Sequence, residues 1–368
     1  MIPTERKHYI DNLRWLTLSL LIPYHTAMAW NAWGEPNYVF FESNKVISSF
    51  IVFFSPFFMP LLFVLAGVST RYALRKRTYK QYISERAKKL LIPLLFGTVV
   101  LMPIMTFIAD KYNNGYDGGF FEHYGSFFTR FTDLTGADGG FSLGQFWFLL
   151  YLFVISVICV SVMRLFKNRA YGKHRRFPFP LFILLGLPLP PAAEVLSIGG
   201  KSIAEYTYLF LLGYYLFSDD DIIGKAERYC ALFTAVGAAA AILNVYLFLW
   251  SENELVILNT AAKYAAEWFM TVGLAGLSKK HLNFTGKISA HISRISFQYY
   301  IWHFIWVVLS QYLLFRICGN NTFILCSGTL LMSLAATLLC SEISIRIPFL
   351  CFLTGTKYIR KDDNARKQ

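Results

Sequence analysis

The sequence predicts an all-α fold: a polytopic membrane helix bundle of about ten transmembrane helices, with N- and C-termini cytoplasmic. Three observations carry that expectation. Of the 368 residues, 55% are hydrophobic and 15% charged, with a mean hydropathy of +0.44, whereas soluble domains carry about a quarter charged residues. Apolar runs of bilayer length recur along the whole chain, and the basic residues collect in every second connection between them. The same figures exclude disorder, collagen and a disulfide scaffold, since aromatics make up 18% and the six cysteines show no C-x-x-C spacing. The net charge of +13 is spread between apolar runs, so it reads as membrane topology and no nucleic-acid partner is expected.

In chain order, stretches able to cross about 30 Å of hydrocarbon lie at residues 10–32, 46–70, 90–109, 145–163, 177–193, 203–217, 229–250, 257–277, 292–315 and 323–345. Pro188, Pro190 and Pro191 disturb the fifth and the sixth is short, so nine and eleven spans are the neighbouring counts. Charge tests the arrangement independently. With the N-terminus inside, the inner segments hold 28 of the 35 Lys and Arg, the outer segments hold 5, and Arg14 and Lys263 fall within spans. A rival reading takes residues 1–29 as a signal peptide, with Ala27-Met28-Ala29 as the cleavage-like site; Arg14 interrupts its apolar region, but topology alone leaves this rival open. Residues 1–355 read as a single integral membrane domain and 356–368 as a basic cytoplasmic tail. The one long non-helical connection, 112–144, has eight Gly and nine aromatics in 33 positions and is expected outside, as a packing cap or as a saccharide-contacting lid.

Ionisable side chains within spans are costly, so each is a functional candidate unless a neighbour explains it. The first stretch carries Asp11, Arg14 and His25. Eleven steps at 100° bring Arg14 and His25 within about 20° of one face, roughly 16 Å apart along a continuous helix, with Asp11 one turn below Arg14 to orient it. Pro23 bends this helix and frees a backbone carbonyl. His25 has two readings, catalysis and interhelical hydrogen bonding. In the ninth stretch Ser296, Tyr300 and His303 follow an i, i+4, i+7 stripe, with Tyr299 beside them. Glu267 in the eighth stretch is either functional or paired with Lys263, and Glu342 with Arg346 reads as an intrahelical ion pair. Eight basic residues between Arg71 and Lys89 exceed what topology needs; phosphates and anionic lipid headgroups are both suited to them.

The run Tyr9-Ile10-Asp11-Asn12-Leu13-Arg14, followed after ten residues by His25, resembles the R-x10-H signature of the acyltransferase family 3 integral membrane proteins. Further landmarks of that family follow in order: Met59-Pro60-Leu61-Leu62-Phe63 to Gly67, Arg86 to Lys89 before Pro93, Gln145-Phe146-Trp147-Phe148-Leu149, and Ser296 to His303. The closing Glu342-Ile343-Ser344-Ile345-Arg346-Ile347-Pro348-Phe349-Leu350 is similar to the glucans biosynthesis protein C type within the family. The resemblance covers nearly the whole chain. It implies a multi-pass enzyme of a bacterial plasma membrane that uses cytoplasmic acyl-CoA, of the acetyl-CoA or succinyl-CoA class, to acylate a hydroxyl of a carbohydrate or cell-envelope glycan. His25 carries over as the catalytic histidine and Arg14 as its partner in the signature. The family often has R-x-x-R before the third helix; here the positions are Arg86 and Lys89, and Lys lacks the bidentate phosphate contact of Arg.

Acyl transfer from a thioester to an alcohol needs a base for the hydroxyl and a donor for the developing oxyanion. The expected assignment has His25 deprotonating the acceptor, with an acyl-histidine intermediate as the variant. CoA phosphates are expected on Arg86, Lys88 and Lys89, and Asp11, Glu267, Tyr300, His303 and Trp147 are orienting or acceptor-binding candidates. Metal-ligand spacings are absent from the sequence, so no metal is predicted. The competing class is a transporter or flippase for a glycan or lipid-linked substrate, since buried His, Glu and Lys also line such pathways.

Overall fold

The computed structural model describes residues 6–165, 179–356 and 358. Helices α1 (His8–Ser19) and α2 (Leu21–Met28) occupy the first apolar stretch, which the sequence predicts as one helix. The break has a covalent cause: Pro23 has no N–H to offer the Ser19 carbonyl, and its ring crowds that oxygen. Next come α3 (Lys45–Leu74) and α4 (Tyr79–Phe96), which runs through a π-helical turn at Gly97–Leu101 into α5 (Met102–Asn113). The connection expected to be non-helical contains a short helix, α6 (Phe120–Phe127), before α7 (Trp147–Leu165). The prolines divide the fifth stretch into α8 (Phe179–Leu184) and α9 (Leu189–Ala193), and a two-stranded antiparallel hairpin pairs Ser197 with Ser202 and Ile198 with Lys201. After it come α10 (Ile203–Leu212) with a π turn at Gly213–Phe217, α11 (Asp220–Arg228), α12 (Cys230–Val245) with a π turn at Tyr246–Trp250, and α13 (Val256–His281). The described helices end with α14 (Lys287–Cys318), α15 (Thr322–Ser344) and α16 (Pro348–Leu353).

Among the described residues, six helical segments are long and apolar enough to cross a membrane: Lys45–Leu74, Tyr79–Asn113, Gly144–Arg164, Cys230–Trp250, Lys287–Cys318 and Thr322–Ser344. The other four expected spans fall short for visible reasons. The first and fifth are broken, the sixth is short, and α13 interrupts its apolar run with Lys263 and Glu267. Most of the basic connection read at 164–176, including Lys173, and nearly all of the tail, including Lys367, lie outside the described residues.

The chain forms two compact units. The first comprises Met1–Thr17, Ser49–Ser84 and Val154–Ala290. Its helices touch at small residues: a Cβ on Gly67 would overlap the Phe210 carbonyl, and one on Gly213 would overlap the Val64 carbonyl, so α3 meets the α10 segment backbone to backbone. This is how helices associate where hydrophobic burial alone does not drive them together. Pro56 leaves the Val52 carbonyl without its helical donor, and Asn244 Nδ2 donates to that oxygen at 3.4 Å.

The second unit comprises Leu18–Ser48, Glu85–Phe153 and His291–Gln368. Here the Ser19 carbonyl released by Pro23 accepts from the Tyr299 hydroxyl at 3.4 Å. Glu342 pairs with Arg346 at 3.1 Å, as the sequence spacing predicts, and His291 is its second partner. The 112–144 connection is tied down by polar groups. Asp110 is 2% exposed and takes both Arg130 guanidinium nitrogens (3.3 and 3.2 Å) and the Asn114 amide (2.7 Å). Asn113 Nδ2 donates to the Ala137 and Asn37 carbonyls at 2.7 and 3.1 Å, and the Tyr112 hydroxyl donates to Phe40 O at 2.9 Å.

His123 of α6 is fully buried beside this hub, its Nε2 3.7 Å from Asp110 Oδ2, with the Phe107 and Tyr116 rings around it. Burial holds His123 below the ordinary histidine range; Asp110 opposes that shift and Arg130 adds to it. The unfolded connection therefore binds a proton near the usual value of about 6.5 while the folded one does not, so its stability is present above that pH and is lost as pH falls below it. Hydrogen exchange of residues 112–144 should rise between pH 7.5 and pH 5.5 beyond the intrinsic pH effect, and His123→Asn should remove that excess.

Candidate active site

In the second unit α2 and α14 bring two histidines together. The His25 and His303 ring centroids are 5.3 Å apart and tilted by 36°, and Phe304 stacks on His25 at 3.9 Å. His25 is half-buried and His303 has no exposed surface. Each is placed by its neighbours. His303 Nδ1 lies 2.7 Å from the Tyr300 carbonyl. A carbonyl can only accept, so Nδ1 carries the hydrogen and the neutral ring keeps its lone pair on Nε2. Nε2 is buried and finds no hydrogen-bond partner among the described residues. One helical turn earlier, Tyr299 lies parallel to His303 at 6.4 Å while its hydroxyl holds the Ser19 carbonyl.

Tyr300 is buried and donates to Gln145 O at 2.6 Å, and Gln145 Nε2 reaches the Ile301 carbonyl at 3.5 Å. Trp147, at the start of α7, packs edge-on against Tyr151 at 5.2 Å. Ser296 turns back on its own helix, donating to Ser293 O at 2.9 Å. Residues outside the titratable set complete the surroundings. Tyr38 meets Phe304 edge-on at 5.2 Å, Gln311 Nε2 donates to Thr26 O at 3.1 Å, and Gln298 is fully buried with both amide atoms unpartnered among the described residues. Gln145 and Gln298 lie within the sequence landmarks, but a search guided by ionisable groups passes over amides.

The remaining candidates divide between the units. Asp11 and Arg14 belong to the first, where Arg14 Nη1 donates to Asp11 Oδ1 at 3.0 Å and Nη2 to Ser69 Oγ at 2.6 Å. Arg6 is a second cation on Asp11, at 2.7 Å. The wheel that aligned Arg14 with His25 assumed an unbroken helix; α1 stops at Ser19, and the two residues fall in different units. Glu267 also lies in the first unit. It is 1% exposed, while Lys263 is exposed with Nζ 5.0 Å from the Tyr264 ring centroid. Arg86, Lys88 and Lys89 sit on α4 in the second unit, Arg86 half-buried and both lysines exposed.

A family model described as an acyltransferase domain matches residues 7–342, which include every candidate above. The chain belongs to acyltransferase family 3. Among this family's members, the glucans biosynthesis protein C chains of Salmonella paratyphi B, Salmonella schwarzengrund and Salmonella enteritidis PT4 are each 23% identical to it over 403 aligned positions, covering 99% of this chain and 98% of the relative. The R-x10-H spacing and the closing Glu-Ile-x-x-Arg-Ile-Pro segment thus pointed to the right family and to this group of relatives. No solved structure matches the chain.

The geometry of α14 separates two neighbouring tyrosines. Tyr300→Phe removes a buried 2.6 Å hydrogen bond and leaves the Gln145 carbonyl without it, a loss of about 0.5–1.5 kcal/mol. Tyr299→Phe removes a longer one. Thermal unfolding in a fixed detergent should show the larger fall in midpoint for Tyr300→Phe.

Proposed function

We propose that the protein is a membrane-embedded O-acyltransferase that moves an acyl group of the acetyl or succinyl class from acyl-CoA to a hydroxyl of a carbohydrate or cell-envelope glycan. The observation that carries this reading is the His25–His303 pair, formed within a chain of an acyltransferase family. Support for a glycan acceptor comes from the relatives, which are named for glucan biosynthesis.

In the proposed reaction His25 accepts the proton of the acceptor hydroxyl as its oxygen forms the ester bond to the thioester carbon. The carbon–sulfur bond breaks, and the proton passes from His25 to the departing thiolate. His303, with its tautomer set by the Tyr300 carbonyl, positions the His25 ring as its neighbour, and Phe304 stacked on His25 limits rotation of that ring. Arg14 is the arginine of the family signature, its guanidinium held by Asp11 and Ser69. Tyr300 and Trp147 are assigned to the acceptor side. Arg86, Lys88 and Lys89 are assigned to the CoA 3'-phosphate and diphosphate, with membrane lipids as the competing anions. Ten spans with both termini cytoplasmic complete the proposal, on the strength of the 28 to 5 asymmetry of basic residues.

Purified protein given acetyl-CoA or succinyl-CoA and a glucan should release free CoA and yield an acylated glucan detectable by mass. His25→Ala should lower that rate by about 10² to 10⁴ while inserting normally. Release of CoA at the wild-type rate by the variant would remove His25 from the reaction.

The charge on α4 is tested by binding a non-hydrolysable acyl-CoA analogue at fixed salt. Losing a charge-assisted hydrogen bond of about 1.5–3 kcal/mol raises the dissociation constant about tenfold to a hundredfold. Arg86→Gln should show that loss, and Lys89→Arg should preserve or tighten binding. An equal, slight weakening in Arg86→Gln and a Lys80→Gln control would instead identify a diffuse lipid-facing charge field.

A further inference from the structure

Beside the histidine pair, Tyr38 Oη, Gln145 Oε1 and His303 Nε2 are buried polar atoms of the second unit that have no hydrogen-bond partner among the described residues. Tyr38 is 4% exposed, Gln145 5%, and His303 has no exposed surface. Contacts join the three into one cluster. The Tyr38 ring meets Phe304 edge-on at 5.2 Å, and Phe304 stacks on His25 at 3.9 Å. A Cβ on Gly144 would lie 3.1 Å from the Tyr38 oxygen, so that oxygen faces the turn Gly144–Phe146 that carries Gln145. Tyr300 closes the cluster, its hydroxyl donating to Gln145 O at 2.6 Å and its carbonyl lying 2.7 Å from His303 Nδ1. On the far side of Tyr38 stands the 112–144 connection, where a Cβ on Gly136 would lie 3.2 Å from the Tyr38 ring and 2.9 Å from Ser142 Cβ.

The cluster is rich in acceptors and poor in donors. The Ile301 carbonyl, 3.5 Å from Gln145 Nε2, can only accept, so the end of that amide left over is the oxygen. His303, with its hydrogen on Nδ1, offers only a lone pair at Nε2. The Tyr38 hydroxyl can give or take, and the Ser142 hydroxyl near it accepts from Gly144 N at 2.9 Å. Burying an acceptor without a donor is costly, so the arrangement suits a ligand that brings hydrogens. The acyl end of a thioester has acceptors only. A sugar carries a donating hydroxyl at nearly every ring carbon, and its C–H face suits the Tyr38 and Phe304 rings.

We propose that Tyr38 and Gln145 form the subsite that binds the acceptor sugar beside the histidine pair, Gln145 Oε1 and Tyr38 Oη each pairing with a ring hydroxyl and His303 Nε2 serving as a third acceptor. The subsite rests on the acyltransferase reading for the sugar's part as acyl acceptor. It assigns the 136–145 end of the long connection to saccharide contact, in preference to a packing cap.

Calorimetric binding of a soluble glucan oligosaccharide to the full-length protein in lipid nanodiscs tests the subsite, with the fully O-methylated oligosaccharide, which has no hydroxyl donors, as the comparison. The wild type should bind the first and not the second. Tyr38→Phe and Gln145→Met should each raise the dissociation constant of the oligosaccharide about two- to tenfold, the loss of one neutral hydrogen bond. Both should bind a non-hydrolysable acyl-CoA analogue as the wild type does. Tyr38→Phe removes an oxygen that the folded chain does not pair, so its thermal midpoint should not fall, which keeps the test open should Gln145→Met fold poorly. Equal binding of the methylated sugar, no binding of either sugar, or sugar binding that neither variant weakens overturns the proposal. Weakened binding of the acyl-CoA analogue in place of the sugar overturns it too, since the cluster then belongs to the donor. A wild type that binds the sugar with these preferences but transfers no acyl group refutes the acyltransferase reading and supports the subsite.

Discussion

Inside hydrocarbon there is no water to complete a broken helical hydrogen bond, so every carbonyl that a proline releases must find a donor in the protein. Two such debts are met by side chains on other helices. Pro23 releases the Ser19 carbonyl, which takes the Tyr299 hydroxyl; Pro56 releases that of Val52, which takes the Asn244 amide. The first of these matters for the site. It ties the break between α1 and α2 to the turn of α14 that precedes His303, and so places the His25 end of α2 against the helix bearing the second histidine. The bend is thus a fixed piece of geometry, with its carbonyl held at a defined point.

The candidate groups meet their surroundings in different ways. In the second unit the Tyr300 carbonyl fixes which nitrogen of His303 carries hydrogen. In the first, the Arg14 guanidinium is neutralised by the Asp11 carboxylate. Imidazoles can remain neutral in an apolar setting without a counterion, whereas a guanidinium cannot. That difference accounts for Arg14 meeting Asp11 and Ser69 while the histidines are surrounded mainly by aromatic rings.

Much of the helical framework was legible in the sequence because it depends on apolar length alone. The apolar stretch at 203–217 coincides with α10 and its π turn, and the stretch at 229–250 differs from its helix by one residue. The break at Leu20 and the division at Pro188 were signalled by prolines, which a helical wheel, treating a helix as continuous, does not register. His25 and His303 stood out as titratable groups in apolar runs, but their meeting is tertiary and has no local signal. For Glu267 the one local partner was Lys263, four residues away, and spacing alone does not show that Glu267 is buried while Lys263 is exposed. Helix α6 was hidden by the glycines around it, which have a low helical propensity.

The π-helical turn between α4 and α5 has a consequence for anyone counting along that segment. Such a turn is an α-helix with one residue too many, and each surplus residue displaces everything after it by about 100° of azimuth. Residues from Met102 to Asn113 therefore present a different side from the one that counting forward from Arg86 would assign. Asp110, beyond that turn, is buried in the hub of the 112–144 connection. The helix behaves as two rulers joined with their zero marks out of line, and a one-residue deletion at Gly97–Leu101 would bring the marks together while leaving Asp110 on the side it already occupies.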